Sequence, residues 1–297
     1  MTTTLTKDPP AFERPAARGG PRAPGRAFSL LRRPAAVASL TFIVLLIVVA
    51  AFAPVLAPFD PATQILQDQL RGPSAEHWLG TDHLGRDVFS RLIYAARLTL
   101  LAPTIAVGVA LALALPTGMF AGFRRGWFDA VSGRVADVFL SLPGLVFALA
   151  MVAVLGRGTV NAMLALGIAF SPGLYRIVRA AALQVSQETH IESARSIGSS
   201  TGRILFVHVV PNILAPLVVQ VTILMGISII AESGLSFIGV GAQPPTASLG
   251  AMLRDANQFQ FKAPLAVLPA GIVLVLTVLS FNTLGDRLRD ILLGEQR

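Results

Sequence analysis

The sequence contains no cysteine, which excludes disulfides, thiolate metal sites and a cysteine nucleophile. It has two lysines, Lys7 and Lys262, and neither follows a glycine-rich loop. Without a phosphate-binding loop of that kind, the chain cannot bind and hydrolyse ATP in the usual way. Charged residues are also scarce, at 13% of the chain against about a quarter in soluble domains. The hydrophobic residues must therefore define the class of protein.

Hydrophobic residues make up 54% of the 297 residues, more than a soluble core of this size can bury. They are concentrated in long runs, and a run of about 20 residues is enough to cross a bilayer as a helix. We therefore predict an all-α polytopic membrane protein with six transmembrane helices. The predicted spans are residues 35–56, 98–122, 131–155, 160–178, 209–232 and 264–284.

The predicted organisation has four parts. Residues 1–34, rich in Pro, Gly, Thr and Arg, are expected to be a disordered cytoplasmic tail. Residues 35–57 form the first transmembrane anchor, and residues 58–97 form an external loop with an interfacial helix. Residues 98–297 form a core with the other five spans.

The external loop carries an unusual density of polar residues. Asp82, His83 and Asp87 have side chains of metal-binding type, but no second histidine follows at ligand spacing, so a capped turn is the favoured interpretation. In the interfacial helix that follows, Arg91 and Arg97 are expected to face the lipid head groups.

The net charge of +8 is compatible at first sight with binding nucleic acid or anionic lipid. In a membrane protein, however, basic residues are first of all topology markers, because they are retained in the cytoplasm. With the N-terminus inside, 17 of the 24 basic residues fall on the inner side and 7 on the outer side. This bias places both termini and the segment 188–211 in the cytoplasm. We expect contact with membrane lipid and no nucleic acid partner.

Residues 188–211, ETHIESARSIGSSTGRILFVHVVP, form a polar island between two apolar runs. Thr189 followed by Glu192 is the pattern of a capping box at the start of a short helix. Gly198 is placed to end that helix in a left-handed conformation. The hydroxyl residues at 199–201 offer N-caps for a second short helix. The pattern predicts a capped helical hairpin.

This hairpin resembles the EAA loop of ABC-importer membrane subunits. The positions that carry the resemblance are Glu192, Ser193, Ala194, Gly198, His208 and Pro211. Ser193 and His208 depart from the general pattern, but the peptide-importer branch also tends to have His at the second of these positions. In the family the loop forms coupling helices that dock on a cytoplasmic ATPase. Ala194 and Gly198 leave one side of the first helix almost bare, which suits close packing.

Three further segments resemble the dipeptide, oligopeptide and nickel branch of the same family. They are GTDHLGRDVFSRLIYAARLTL (80–100), AESGLSFIGVGAQPPTASLG (231–250) and NTLGDRLRD (282–290). Ala96, Thr99 and Leu249 depart from the branch's usual residues. The resemblance covers residues 35–297. It implies a type I ABC importer permease fold with cytoplasmic coupling helices in a bacterial inner membrane.

The resemblance also implies partners. A second homologous permease, two cytoplasmic ATPase subunits and an extracytoplasmic binding protein would complete the importer. ATP and Mg²⁺ would bind to the ATPases, so no cofactor is expected in this chain. Dipeptides or oligopeptides are the expected substrates, and nickel or glutathione, which other members of the branch carry, are the alternatives.

Polar groups within the predicted spans are candidates for the translocation pathway, because such groups are costly in lipid. The candidates are Glu232, Gln220 and Asn282. A structural role is the alternative for Glu232, which can cap the loop at 234–241 or pair with Arg254 or Lys262. Asp137 and Arg134, one helical turn apart, are expected to form an internal ion pair.

Two other functional classes compete with an ABC importer subunit. An intramembrane enzyme needs a nucleophile–base pair or a metal at membrane depth. The four histidines lie in predicted loops or interfaces, and Ser236 has no base that the sequence identifies. An ion-driven secondary transporter would account for Glu232, but it would not account for the capped hairpin at 188–211.

Overall fold

The computed structural model describes residues 34–293, so the predicted tail at 1–34 lies outside the described residues except for Pro34. The described part is built from α-helices. They are α1 (Pro34–Ala51), α2 (Ala53–Leu56), α3 (Val88–Arg124), α4 (Trp127–Leu140), α5 (Gly144–Leu155), α6 (Thr159–Val185), α7 (Thr189–Ser196), α8 (Thr201–Ile204), α9 (Val210–Ile238), α10 (Leu249–Gln258) and α11 (Val267–Leu293). A π-helical turn, Leu205–Val209, joins α8 to α9.

Five of the predicted spans are single long apolar helices, formed by α1, α3, α6, the α8–α9 unit and α11. The sixth, predicted at 131–155, is broken into α4 and α5, whose axes differ by 89°. The break lies at residues 141–143. Pro143 has no N–H and disfavours helical backbone in the residue before it, so the apolar run cannot continue as one helix.

The bent α4–α5 pair crosses the bundle once. Helices α3 and α6 run parallel, because Gly167 faces Val109 while Gly122, further along α3, faces Ala182, further along α6. The chain must therefore return between them to the side from which α3 started. At one end of the pair, Asp129 contacts Arg179 near the end of α6. At the other, Asn161 in the first turn of α6 donates to Leu155 O at 2.8 Å. The six predicted crossings are accounted for when the pair is one broken span.

The bundle has two ends, which we call the hairpin face and the loop face. The hairpin face contains residues 186–209, between α6 and α9. The loop face contains residues 57–87 and the ends of α5 and α9. Gly158, before α6, donates its amide to Val240 O, after α9, at 3.1 Å, so these two connections lie together. Helix α11 runs antiparallel to α9 and returns the chain to the hairpin face.

Small residues allow α3 and α6 to pack closely. A Cβ on Gly122 would lie 2.4 Å from Arg179 O, and one on Gly118 would lie 3.0 Å from Tyr175 O. Gly118 and Gly122 thus form a GxxxG step, a spacing of small residues that lets membrane helices pack closely. Gly108 and Ala112 have the same spacing but take no part in this packing. Both residues are exposed, and a Cβ on Gly108 has no neighbour within 4 Å.

The interfacial helix predicted before the second span is continuous with it in α3. Arg97 is exposed and lies over the ring of Tyr94, in the position expected for a head-group contact. The prediction for Arg91 is wrong. Its side chain is buried, its Nη1 donates to Pro61 O at 3.1 Å, and its Nε lies 3.5 Å from Asp82. The loop at 57–87 folds over this guanidinium and buries it.

Candidate functional site

The hairpin between α6 and α9 is closed by local capping contacts. Gly198 has φ +80°, and the amide of Ser199 donates to Ala194 O at 3.1 Å, which is the bond of a left-handed helix end. The Ser200 hydroxyl accepts from the amide of Arg203 at 3.4 Å and starts α8. Helix α7 includes Thr189 as its first residue, so it starts one residue before the predicted capping box would place it.

Helix α7 has one face inside the chain and one outside it. Ile191 and Ala194 are buried and pack with the cluster that includes Ile204 and Val209. The other face carries Glu192 and Ser193, which are exposed, and the turn directly after α7 carries Ile197, which is 82% exposed. A Cβ on Gly198 would have no neighbour within 4 Å. The bundle therefore supports α7 from one side and presents an apolar knob at the tip of the hairpin.

The π-helical turn connects this hairpin to a membrane span. Pro211 lies in the first turn of α9, where its missing N–H leaves a carbonyl of the preceding turn without its usual partner. A wider turn at 205–209 accommodates this position. The Asn212 amide donates to His208 O at 2.7 Å, and the rings of His208 and His190 have centroids 5.9 Å apart. The hairpin is thus joined to α9 without a flexible linker.

The first half of the broken span is held to α6 by polar contacts. Arg179 binds the carboxylate of Asp129, and the hydroxyls of Ser132 and Tyr175 lie 2.7 Å apart. The third contact joins Arg176 to Asp137. The predicted pairing of Asp137 with Arg134 is therefore wrong, because α4 lies against α6 and Asp137 pairs with a guanidinium on that helix.

The three pathway candidates do not come together. Glu232 is 2% exposed, and its Oε1 accepts from the Ser236 hydroxyl at 2.7 Å. That hydroxyl also accepts from the amide of Ala242 at 2.9 Å, so Glu232 supports the turn after α9. Gln220, twelve positions earlier on α9, is half-buried. Asn282 is exposed on α11, and its Oδ1 would lie 2.7 Å from a Cβ on Gly226.

The loop-face residues form capped turns. Asp82 Oδ1 accepts from the amides of Leu84 and Arg86 at 2.9 and 3.0 Å. Asp87 caps α3 by accepting from the Ser90 amide at 2.7 Å. It also contacts His77 Nδ1 at 2.9 Å, in a buried pair. These contacts agree with the capped-turn interpretation of this segment.

One further acid, which the sequence did not single out, lies next to the turn at Asp82. Asp255 of α10 offers an oxygen to a group with Asp82 and His83, in which the possible ligand atoms lie within 4.8 Å of one another. Arg86 contacts both carboxylates, with its Nε 2.7 Å from Asp82 and its Nη2 3.4 Å from Asp255. These guanidinium contacts use the oxygens that a cation would need. The arrangement therefore does not fit a metal site.

Residues 114–294 match the family described as "binding-protein-dependent transport system inner membrane component". The matched residues run from the end of α3 to α11, and they include the broken α4–α5 span and the hairpin. The chain belongs to this family of ABC importer permeases. Residues 27–73 match a second family, the N-terminal transmembrane domain of oligopeptide transport permease C.

Curated relatives of this permease are similar along most of its length. It is 46% identical to the glutathione transport system permease protein GsiD of Escherichia coli O1:K1 / APEC over 263 residues, which cover 88% of this chain and 86% of that protein. It is 42% identical to GsiD of Pectobacterium atrosepticum over 274 residues, with 91% of each chain covered. These relatives are permease subunits and not ATPases.

The fold of the permease also occurs among solved structures. An inward-facing structure of the MetNI methionine ABC transporter superposes with a TM-score of 0.55 at 20% identity, covering 68% of this chain and 96% of the matched chain. Another crystal form of that transporter gives the same TM-score at 18% identity. The type I importer permease fold expected from the sequence is therefore confirmed.

Proposed function

We propose that this permease forms half of the membrane pore of an ATP-driven importer for short peptides in a bacterial inner membrane. A second homologous permease forms the other half, and an extracytoplasmic binding protein delivers the solute. Two cytoplasmic ATPases bind ATP and Mg²⁺ and drive the cycle. The observation that carries the proposal is the rigid hairpin, which is supported from within by Ile191 and Ala194 and offers Ile197 outward.

The proposed coupling contact is the exposed face of α7 together with the turn that follows it. Glu192 and Ser193 lie on the face and Ile197 lies in the turn, while Ala194 holds the helix against its own bundle and acts as a support. Because the π-helical turn continues directly into α9, movement of the hairpin moves a span. His208 and Pro211 lie at that junction and transmit the movement.

The proposed orientation has the hairpin face in the cytoplasm and the loop face outside. The ends of α1 and α11 at the hairpin face then place both termini inside. Basic residues on this face, Arg124, Arg125 and Arg203 among them, are exposed and support the assignment. The loop face is then available to the binding protein.

Peptides are the proposed solutes because two similarities to known proteins point to them. The N-terminal region matches oligopeptide transport permease C, and the curated relatives carry glutathione in their names. Gln220 and Asn282 are the proposed polar contacts along the pathway. Glu232 is assigned to the turn after α9, since its carboxylate is buried against Ser236.

The test is purification of the tagged importer from its own membrane with wild-type permease and with Ile197→Asp. Wild type should bring down a second permease and ATPase subunits, and should import a labelled dipeptide in proteoliposomes only with ATP and the binding protein. Ile197→Asp should lose the ATPases, because a charge then replaces an apolar contact. Gln187→Asp, an exposed change just before the hairpin, is the control and should keep them.

Uptake without ATP, or ATPases that remain bound to Ile197→Asp at wild-type affinity, would contradict the coupling proposal. Import of Ni²⁺ in place of the dipeptide would overturn the proposed substrate while leaving the coupling intact.

A further inference from the structure

A polar cavity of about 360 Å³ opens at the loop face, away from the hairpin. Four separate parts of the chain form it: the loop at 57–87, the start of α3, the turn after α9, and α10. Its polar lining includes Gln64, Arg86, Arg91, Thr246, Arg254 and Asp255, together with His83. The volume lies at the lower end of the range for small-molecule sites, about 300–1,000 Å³. Two of the sequence motifs that the coupling role does not use therefore meet at one place.

The charges around this cavity are unequal. Three guanidiniums, those of Arg86, Arg91 and Arg254, are connected to two carboxylates, those of Asp82 and Asp255. Arg86 and Arg91 are only 4% and 2% exposed, so water solvates them poorly. A buried charge without a counter-charge is unfavourable. The network therefore has one positive charge that a bound monoanion would balance.

Hydrogen-bond donors remain for such an anion. A guanidinium has five N–H groups. Among the described residues, Arg91 donates to Pro61 O, while its Nε is 3.5 Å from Asp82. Arg254 directs its Nε and one Nη to the same oxygen of Asp255. The remaining donors of both side chains are not taken up by these contacts, and both side chains line the cavity.

His83 gives an independent sign of a missing partner. It lines the cavity and stacks on Phe259, with ring centroids 5.1 Å apart. Its Nδ1 is buried and has no hydrogen-bond partner within the described part of the chain, and the nearest carboxylate oxygen, on Asp255, is 4.0 Å away. Buried polar atoms in native proteins are usually paired.

We propose that this cavity is a binding site for the carboxylate of a short peptide, at the outer end of the permease. Guanidiniums favour carboxylates through paired N–H···O bonds, and a monoanion matches the single excess charge better than a phosphate dianion does. Leu84, Pro244 and Pro245 supply an apolar wall for the remainder of a small solute. The choice of a peptide as the source of the carboxylate rests on the proposed function.

The position of the cavity wall is set by Glu232. Ala242 lines the cavity, and its amide donates to the Ser236 hydroxyl, which in turn donates to the Glu232 carboxylate. The buried acid thus acts on the site through the turn that carries Ala242 and Thr246. It is a positioning residue and does not reach the solute.

The experiment measures equilibrium binding of radiolabelled alanyl-alanine to the assembled importer in nanodiscs, without the binding protein. Alanyl-alanine amide, which lacks the carboxylate, serves as competitor. We expect saturable binding of the free acid and about tenfold weaker competition by the amide, the loss expected when a charged hydrogen bond is removed. Arg254→Gln should weaken binding of the free acid by a similar factor.

Arg254 is the residue to change because Arg86 and Arg91 also hold the external loop in place. Lys262→Gln is the matched control, since Lys262 is an exposed cation beyond α10 that does not line the cavity. It should bind the dipeptide as wild type does. Thermal unfolding of each variant shows whether it is folded. Thr246→Ala changes the cavity wall without changing its charge and provides a second folded variant. We expect it to lower the affinity for the dipeptide about threefold.

Equal competition by acid and amide, or no saturable binding, would overturn the proposal. It would also be overturned if Arg254→Gln bound the dipeptide as wild type does. If a separate pull-down then showed weaker docking of the binding protein to Arg254→Gln, the cavity would hold an acidic side chain of that partner. ATP-driven uptake of alanyl-alanine is measured separately. If alanyl-alanine is taken up but does not bind at this site, the carboxylate site is wrong and the proposed function stands. If alanyl-alanine binds at this site but is not taken up, the proposed function is wrong and the carboxylate site stands.

Discussion

Arg179 of α6 holds Asp129 of α4 through two nitrogens, with Nη2 2.6 Å from Oδ2. This contact stands at the start of the broken span, next to Phe128, which packs against the core. Further along α4 little apolar surface is buried: Ala136 is buried, while Val131, Val135 and Val138 are exposed. The orientation of α4 against α6 therefore depends strongly on polar pairs.

Asp129→Asn is expected to loosen this junction. The change removes the charge from a partly buried pair and should lower stability by roughly 1–2 kcal/mol, less than for a fully buried pair because Arg179 remains partly in contact with solvent. Thermal unfolding and limited proteolysis near residues 125–126 would detect it. Asp137→Asn is the control. Its pair with Arg176 is more than half exposed on both sides, so it should change stability less.

Gly122→Leu is expected to disrupt the contact between α3 and α6. The new side chain would meet Arg179 O and Ala182, and overpacking of this kind costs about 1–3 kcal/mol or more when backbone must move. Gly108→Leu, on the exposed side of the same helix, should be tolerated. Yields of folded protein and melting temperatures in detergent would compare the two. Equal losses would show that the two helices do not pack as described.

Glu232 is expected to support the outer turn and not to contact the solute. Glu232→Gln keeps an oxygen for the Ser236 hydroxyl and should preserve dipeptide uptake. Ser236→Ala leaves the Glu232 carboxylate and the Ala242 amide without their shared partner, and should lower stability by about 1–3 kcal/mol. Uptake assays and thermal unfolding of both variants check this. Loss of uptake in a fully stable Glu232→Gln protein would show that the carboxylate takes part in the translocation pathway.

The cysteine-free sequence allows the orientation to be measured with single cysteines. Arg157→Cys, at the loop face, should react with a membrane-impermeant maleimide in intact spheroplasts. Ser196→Cys, on the hairpin, should react only after the membrane is permeabilised. Both positions are exposed in the chain, so access to the reagent depends on the side of the membrane. The reverse pattern would invert the proposed topology.

The sequence was sufficient for features that depend on local pattern. Long apolar runs predicted the crossings, and a glycine four residues after Ala194 predicted the left-handed end of α7. The third crossing was predicted at 131–155, but its 89° bend could not be predicted, because hydropathy continues smoothly through Pro143 and the partner that keeps α4 in place is on α6. The burial of Arg91 was missed for the same reason, since its oxygen partner at Pro61 comes from a loop that folds back over it.

The loop-face cavity shows the same limit more strongly. Its residues come from positions 64–91 and 242–255, and no local pattern relates Asp255 to Arg86. The capped turn at Asp82 was predictable because its bonds join neighbours. The excess of guanidinium around it becomes visible only when the two motifs are folded together.

The break between α4 and α5 also identifies a side of the chain that does not face lipid tails. It lies beside Ala169 and Phe170, near the middle of α6, and residues 141–143 are exposed on the single chain. The first amides of α5 have no side-chain cap among the described residues, and hydrocarbon cannot satisfy them. That side of the chain is therefore turned toward another protein surface or toward water that reaches the centre of the bilayer.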